Sequence, residues 1–189
     1  MHSKVNSVPK GFRTVTPVLT VAGAVSAIEF YSFVFDAEER TRITGQDGLS
    51  VAHSELKIGN SVILVCDENP VFGIHAPTTL GASPVIVHLY FDDVDSVWER
   101  AIEAGATILV PLADTYWGER YGKFIDPYGH VWSLGKRVED LSADEIASRA
   151  AALTAPAALE TVDAFGASDE LLAETIADVP VEEATTKAA

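Results

Sequence analysis

The 189-residue chain has one cysteine, Cys66, one methionine, and 13 basic side chains against 28 acidic ones. Each shortage excludes something. A lone cysteine cannot close an intramolecular disulfide or build a multi-cysteine metal site. The scarcity of Lys and Arg, with a formal charge of −15, argues against nucleic acid as a partner, because phosphates demand clustered cations. No apolar run approaches the ~20 residues of a membrane span, so a membrane partner is not expected. The opening segment MHSKVNSVPK has no apolar signal core, so secretion is not expected either and the chain reads as a cytoplasmic protein. No GxGxxG, Walker A or GxSxG spacing occurs, which leaves nucleotide-binding and α/β-hydrolase readings without support.

What is present is a globular composition, 48% hydrophobic, with an uneven charge. Residues 1–138 carry 16 acidic and 11 basic side chains, whereas 139–189 carry 12 and 2, with 15 alanines and one aromatic, Phe165. That second stretch is too poor in large apolar groups to offset its ordering entropy. It reads as an acidic, Ala-rich extension, partly helical or disordered. Ser142 with Glu145 has capping-box spacing before LSADEIASRAAAL, and Ser168 opens SDELLAETIADV in the same way. Residues 1–10 read as a flexible start, and 11–138 as the functional domain.

Inside 11–138 the order of elements repeats. The β-branched run 14–21 predicts a strand, and 24–35 a helix with Ala27, Ile28, Tyr31, Val34 and Phe35 on one face. Strands follow at 38–44, 49–58 and 61–67, separated by Gln46–Asp47–Gly48 and Gly59–Asn60. A Pro-, Gly- and Thr-rich loop, read as a lid, covers 69–84. Then come a strand at 84–93, a helix at 94–105 capped by Asp93 or Asp95 with Gly105 at its end, and strands at 106–114, 121–127 and 130–136. The chain spells βαβββ twice, at about 14–67 and 84–136. The fold class is α+β, two βαβββ modules curling a mixed sheet around a concave trough.

Alternation assigns the faces. Val85, Val87, Leu89 and Phe91 suit the helix side of 84–93, so Ile86, His88 and Tyr90 point into the trough. In 49–58, Ala52, Leu56 and Ile58 suit the helix side, leaving His53, Glu55 and Lys57 opposite, with Val62, Leu64 and Cys66 on the same trough face. Trp117, Glu119, Arg120 and Tyr121, in TYWGERYGKF just before a strand, form an aromatic and arginine cluster at the trough mouth. Such a cluster can stack on a planar ligand or hold an acid group. It is equally readable as a structural turn, with Trp117 over the core and Arg120 paired to a carboxylate. Asp126 to His130 reads as a tight turn in which Asp126 satisfies backbone N–H groups and His130 faces solvent.

The blocks VTPVLTVAGAVSAIEFYSFVFDAEE, AHSELKIGNSVIL, VHLYFDDVDSVWERAIEAGAT and, above all, ADTYWGERYGKFIDPYGHVWSL resemble the vicinal-oxygen-chelate superfamily. This is the superfamily of glyoxalase I, bleomycin-resistance proteins and extradiol dioxygenases, and the PhnB-like branch is the nearest in pattern. The resemblance implies two inward metal positions in each module, which fall here on Thr16, Leu64, His88 and Ser133. Only His88 is a good divalent ligand, so the set is incomplete and glyoxalase I activity is not expected. A different trio, His53, Glu55 and His88, has the chemistry to hold Zn²⁺, Fe²⁺ or Mn²⁺ if the two strand faces meet. The plainer reading is that these residues line a binding pocket.

Two functions follow. One is a small-molecule-binding protein, with His53, Glu55, His88, Tyr90, Trp117, Arg120 and Tyr121 as ligand contacts. The other is a lyase, isomerase or dioxygenase type of enzyme, metal-dependent or metal-free, acting on a small oxygenated or aromatic substrate. The resemblance also implies a homodimer.

Overall fold

The first helix forms where apolar residues recur at helical spacing and a carboxylate waits at its N-terminus. In the computed structural model, which describes residues 5–153, helix α1 runs Ala24–Phe35. The Asp67 side chain accepts from the backbone N–H groups of Gly23 and Ala24 at 3.0 and 2.8 Å, satisfying donors that a helix start leaves open. All five apolar positions expected on its inner face are buried, joined by Ala24 and Phe30.

Strand β1 (Val18–Val21) precedes α1, and β2 (Glu38–Thr44), β3 (Val51–Ile58) and β4 (Ser61–Asp67) follow it. They form a sheet in the order β1-β4-β3-β2, with β1 parallel to β4 and the other pairs antiparallel. The second module repeats this pattern. Strand β5 (Ile86–Tyr90), helix α3 (Val94–Glu103), and strands β6 (Thr107–Asp114), β7 (Glu119–Ile125) and β8 (Val131–Arg137) give a sheet ordered β5-β8-β7-β6. Asp93, not Asp95, caps α3: its carboxylate accepts from Ser96 N at 3.3 Å and Ser96 Oγ at 2.8 Å.

The segment expected to be a plain loop contains a 3₁₀ turn at Pro70–Phe72 and a short helix, α2, at Pro77–Leu80. Proline at the first helical position fixes φ and has no N–H to lose, which is why a Pro-rich stretch can still start a helix. Glu68 ties the segment down through Ala76 N at 3.0 Å and Thr79 Oγ1 at 2.7 Å. Two face assignments also differ from the sequence reading. Val51, not Ala52, enters the core, because the β2–β3 register shifts between Ile43 and Thr44 and changes the phase of alternation. Val85 lies outside β5 and is 62% exposed, whereas Val87, Leu89 and Phe91 do pack against the core.

The two modules share one core. Tyr31 and Phe35 of α1 reach Trp132 of β8, with ring centroids 5.3 and 4.7 Å away, and Phe35 also stacks near Phe91 and Phe124. Aromatic contacts of this kind add specific geometry to the burial of large apolar area. Asp126, 4% exposed, anchors the junction: its Oδ2 accepts from Tyr31 Oη and Trp132 Nε1, both at 2.8 Å, while Oδ1 accepts from the N–H groups of Tyr128 and His130. Arg100 of α3 donates to Val34 O at the end of α1 and to Asp36. The face of each sheet opposite the helices is left outside this core.

Residues from Ser142 onward form a separate unit. Its described part is helix α4 (Ala143–Leu153), opened by the capping box read from the sequence. Ser142 N and Oγ donate to Glu145 Oε2, and Glu145 N donates back to Ser142 Oγ. The second helical stretch, from Ser168, lies outside the described residues.

Candidate functional site

The outward face of the second sheet gathers an aromatic and polar cluster. His88 of β5 lies opposite Ser133 of β8, and one row on, Tyr90 lies opposite Gly135, which is in turn opposite Tyr121 of β7. Ser133 is only 2% exposed, and its Oγ lies 2.7 Å from His88 Nδ1. The missing side chain at Gly135 makes room for the imidazole: a Cβ there would sit 2.9 Å from His88 Cε1 and Nε2 and 3.1 Å from Tyr90 Cε1. The ring is flanked by Tyr90, edge-on at 4.5 Å, and by Tyr121, nearly parallel at 6.0 Å.

Glu119, the first residue of β7, organises the rim. The loop from Thr115 to Gly118 turns tightly, with Thr115 N donating to Glu119 O and Gly118 N to Thr115 O. This places the Glu119 carboxylate to accept from Tyr90 Oη at 2.7 Å and Trp117 Nε1 at 3.0 Å. Trp117 meets Tyr121 edge-on at 5.6 Å. Desolvation lowers the pKa of His88 from the usual imidazole value, and this outweighs the opposing charge of Glu119. His88 is therefore neutral at pH 7. The hydrogen bond to Glu119 raises the Tyr90 phenol, which stays protonated. The result is a wall of three aromatic rings and an imidazole, with a carboxylate at its edge, and Tyr90 is 63% exposed.

The other proposed contacts sit elsewhere. His53 and Glu55 lie on β3, with Nε2 and Oε1 3.8 Å apart, and Glu55 faces Leu64 across the sheet. Among the described residues no three His, Cys, Asp or Glu side chains are grouped to hold a metal ion, so within one chain His53 and Glu55 are not joined by His88. Arg120 turns away from the cluster, making an ion pair with Asp95 at 2.6 Å and a second with Asp114 at 3.2 Å. Of the seven candidates, His88, Tyr90, Trp117 and Tyr121 come together. Glu119, part of the TYWGERYGKF segment, and Ser133, one of the four inward positions, complete the group as its hydrogen-bonding supports, roles that depend on cross-strand register.

Register also corrects the metal frame. Leu64 pairs with Val18 as Ser133 pairs with His88. Val18, not Thr16, thus occupies the first-strand position, and Thr16 precedes β1 with its hydroxyl on Arg13 O. Two of the four positions are aliphatic, one is a buried hydroxyl, and the one imidazole spends Nδ1 on that hydroxyl. These residues do not fit a resident divalent metal. His130 is not solvent-facing: it is half-buried, and its Nε2 contacts Thr20 O at 2.9 Å.

Residues 14–134 match the model of the Glyoxalase/Bleomycin resistance protein/Dioxygenase superfamily. The chain belongs to that family. Among curated proteins it is similar to an uncharacterised protein of Mycobacterium tuberculosis, 43% identical over 135 residues that cover 70% of this chain and 79% of the other. Among solved structures it is similar to a PhnB protein from Bacillus cereus, at 22% identity and a TM-score of 0.50, covering 66% of this chain and 99% of that one. It is also similar to the fosfomycin resistance protein FosX from Listeria monocytogenes complexed with Mn(II) and sulfate, at 17% identity and a TM-score of 0.52, covering 70% and 95%. At these identities the two structures speak for the fold alone. Among the described residues no helix is long and apolar enough to cross a membrane.

Proposed function

We propose that this protein binds a small organic molecule with a planar, aromatic portion on the outward face of its second sheet. The observation that carries this reading is the wall of His88, Tyr90, Trp117 and Tyr121, held in place by Ser133 and Glu119 and open to solvent. Ring faces give stacking area. His88 Nε2, which has no hydrogen-bond partner among the described residues, gives one directional contact. The Glu119 carboxylate at the rim favours a ligand carrying a positive charge.

The binding unit is a homodimer in which the first sheet of a partner, with its His53 and Glu55 face, covers this wall. Supporting it are the places of β1 and β5 at the ends of their sheets and the apolar side chains exposed on them, Val18 and Ile86. A cytoplasmic location suits the single thiol of Cys66. Because the metal positions are occupied by Val18 and Leu64, the reading requires no metal.

Titration with bleomycin, followed through tryptophan fluorescence, tests ligand binding, with light scattering for the mass of the assembly. A signal change that saturates and is lost in Tyr121→Ala supports the proposal. A 20.2 kDa monomer that leaves this wall uncovered would remove the two-chain part of it. One observation favours a second reading, metal-free acid–base catalysis: His88 is neutral, oriented through Nδ1 and unpartnered at Nε2. Turnover of an oxygenated aromatic substrate that vanishes in His88→Gln would move that reading ahead.

A further inference from the structure

A cavity lies apart from the aromatic wall. It occupies about 340 Å³ where β1, the segment 75–85 and the start of β5 converge, and none of His88, Tyr90, Trp117, Glu119 or Tyr121 lines it. That volume lies at the lower end of the range used by small-molecule ligands. Its walls are mainly Pro17, Val18, Leu80, Pro84, Val85 and Val87, with His75 and His130 among the polar lining, and no Asp, Glu, Lys or Arg among the lining residues. The polar capacity is largely used internally. Ser83 Oγ donates to Val85 O, and His130 Nε2 meets the Thr20 carbonyl, so in the neutral ring this nitrogen carries the proton.

The cavity is built, not incidental. Its far wall is pinned from both modules. Glu68 of the first module clamps Ala76 N and Thr79 Oγ1. Gly129 of the second module lies so close beneath α2 that a Cβ there would sit 2.9 Å from Pro77 Cβ and 3.2 Å from Thr78 N. Three prolines, Pro17, Pro77 and Pro84, line it and restrict the backbone further. A preorganised wall loses little entropy when a ligand enters, and an apolar lining without formal charges repels any ion that must leave its hydration shell.

We propose that this cleft between the modules is a second binding site, independent of the aromatic wall, that takes a small, uncharged, predominantly apolar molecule. The probe is the neutral dye N-phenylnaphthylamine, whose emission rises in apolar surroundings, titrated into the full chain carrying Tyr121→Ala, so that the aromatic wall does not compete for its rings. Its comparison is anilinonaphthalenesulfonate, the same scaffold with an anionic group. The neutral dye is expected to saturate at one per chain and to bind about tenfold more tightly than the sulfonate. Ala82→Trp, which fills the cavity from an exposed position, and Val85→Glu, which places a charge at its rim, should each weaken the dye about tenfold. His88→Ala should leave it unchanged. Val85 is exposed enough for the glutamate to be tolerated by the fold, so this variant reads the site even if the tryptophan disturbs the loop. Equal or tighter binding of the sulfonate, absence of saturable binding, or loss in His88→Ala with retention in Val85→Glu would each overturn the proposal.

Discussion

The hydroxyl of Ser133 and Nδ1 of His88 face each other across paired strands at 2.7 Å, and the serine is buried beneath the imidazole. Ser133 is thus a support for the ring, not a group that reaches a ligand. Ser133→Ala should lose the bond and leave Nδ1 without it, at a cost of about 1 kcal/mol in unfolding free energy measured with urea. Ligand affinity at the wall should fall as the ring gains freedom. If affinity is unchanged, the orientation of His88 has no part in binding.

Gly135 acts from the same strand by a different means. Gly135→Ala puts a methyl group 2.9 Å from the far edge of the His88 ring, so the imidazole must tilt toward solvent. The backbone of β8 need not move, and thermal stability should change little. Binding at the wall should weaken about tenfold, because the ring and Tyr90 lose their shared geometry. A crystal structure of the variant with the ring in its original place would contradict this.

The lowered pKa of His88 has a sign that can be checked. The group binds its proton less readily in the folded chain than in the unfolded one, so the unfolded state takes up more protons in the interval between the two pKa values. Stability contributed by the neutral ring is present above the ordinary imidazole pKa and is lost as pH falls from there through the folded value. Histidine NMR should show the His88 titration below that of a free imidazole. In His88→Gln this part of the acid loss of stability should disappear. A midpoint at or above the ordinary value would refute the desolvated ring.

Why most of the fold could be read in the residues, and the site only in part, follows from the range of the forces involved. The strand-like runs 38–44 and 61–67, bounded by turn residues, and the helical spacing from Ala24 to Phe35 are local, and the strands and helix appear there with the boundaries read from the sequence. The position of Val18 opposite Leu64 is not local. It depends on where β1 begins to pair, and Pro17 and the Arg13–Thr16 turn delay that start by several residues relative to the β-branched run. The phase change at Val51 likewise comes from cross-strand pairing: Ile43 and Thr44 of β2 face His53 and Val51, leaving Ala52 as the extra residue of a bulge on β3. Tyr90 and Trp117 meet through Glu119, whose place in the TYWGERYGKF segment is legible in the sequence but whose two partners are set only when the β6–β7 hairpin folds.

The junction between modules offers a stability test independent of any ligand. Tyr31 is fully buried and donates to Asp126, and burial together with the nearby carboxylate raises its phenol pKa well above the usual value. Tyr31→Phe keeps the ring contacts with Phe35 and Trp132 but removes the donor. Asp126 retains Trp132 and two backbone N–H groups, so the cost should be about 1–2 kcal/mol, not a collapse. Asp126→Ala strips all four bonds at once and should cost more. Equal effects of the two variants in urea unfolding would mean that the tyrosine, not the carboxylate, holds the modules together.

Arg120 separates the two roles open to the TYWGERYGKF segment. Its guanidinium is engaged with Asp95 of α3 and Asp114 of β6 and lies off the aromatic wall. All three side chains are partly or largely exposed, so the network is screened by solvent and salt, and Arg120→Ala should change stability by less than about 1 kcal/mol. Ligand affinity at the wall should stay within experimental error, while Trp117→Ala and Tyr121→Ala weaken it. If Arg120→Ala abolishes binding of an acidic ligand, the guanidinium must leave both aspartates to meet it. The positive charge favoured for the ligand by Glu119 would then be the wrong sign, and the site would have to be redrawn around an anion.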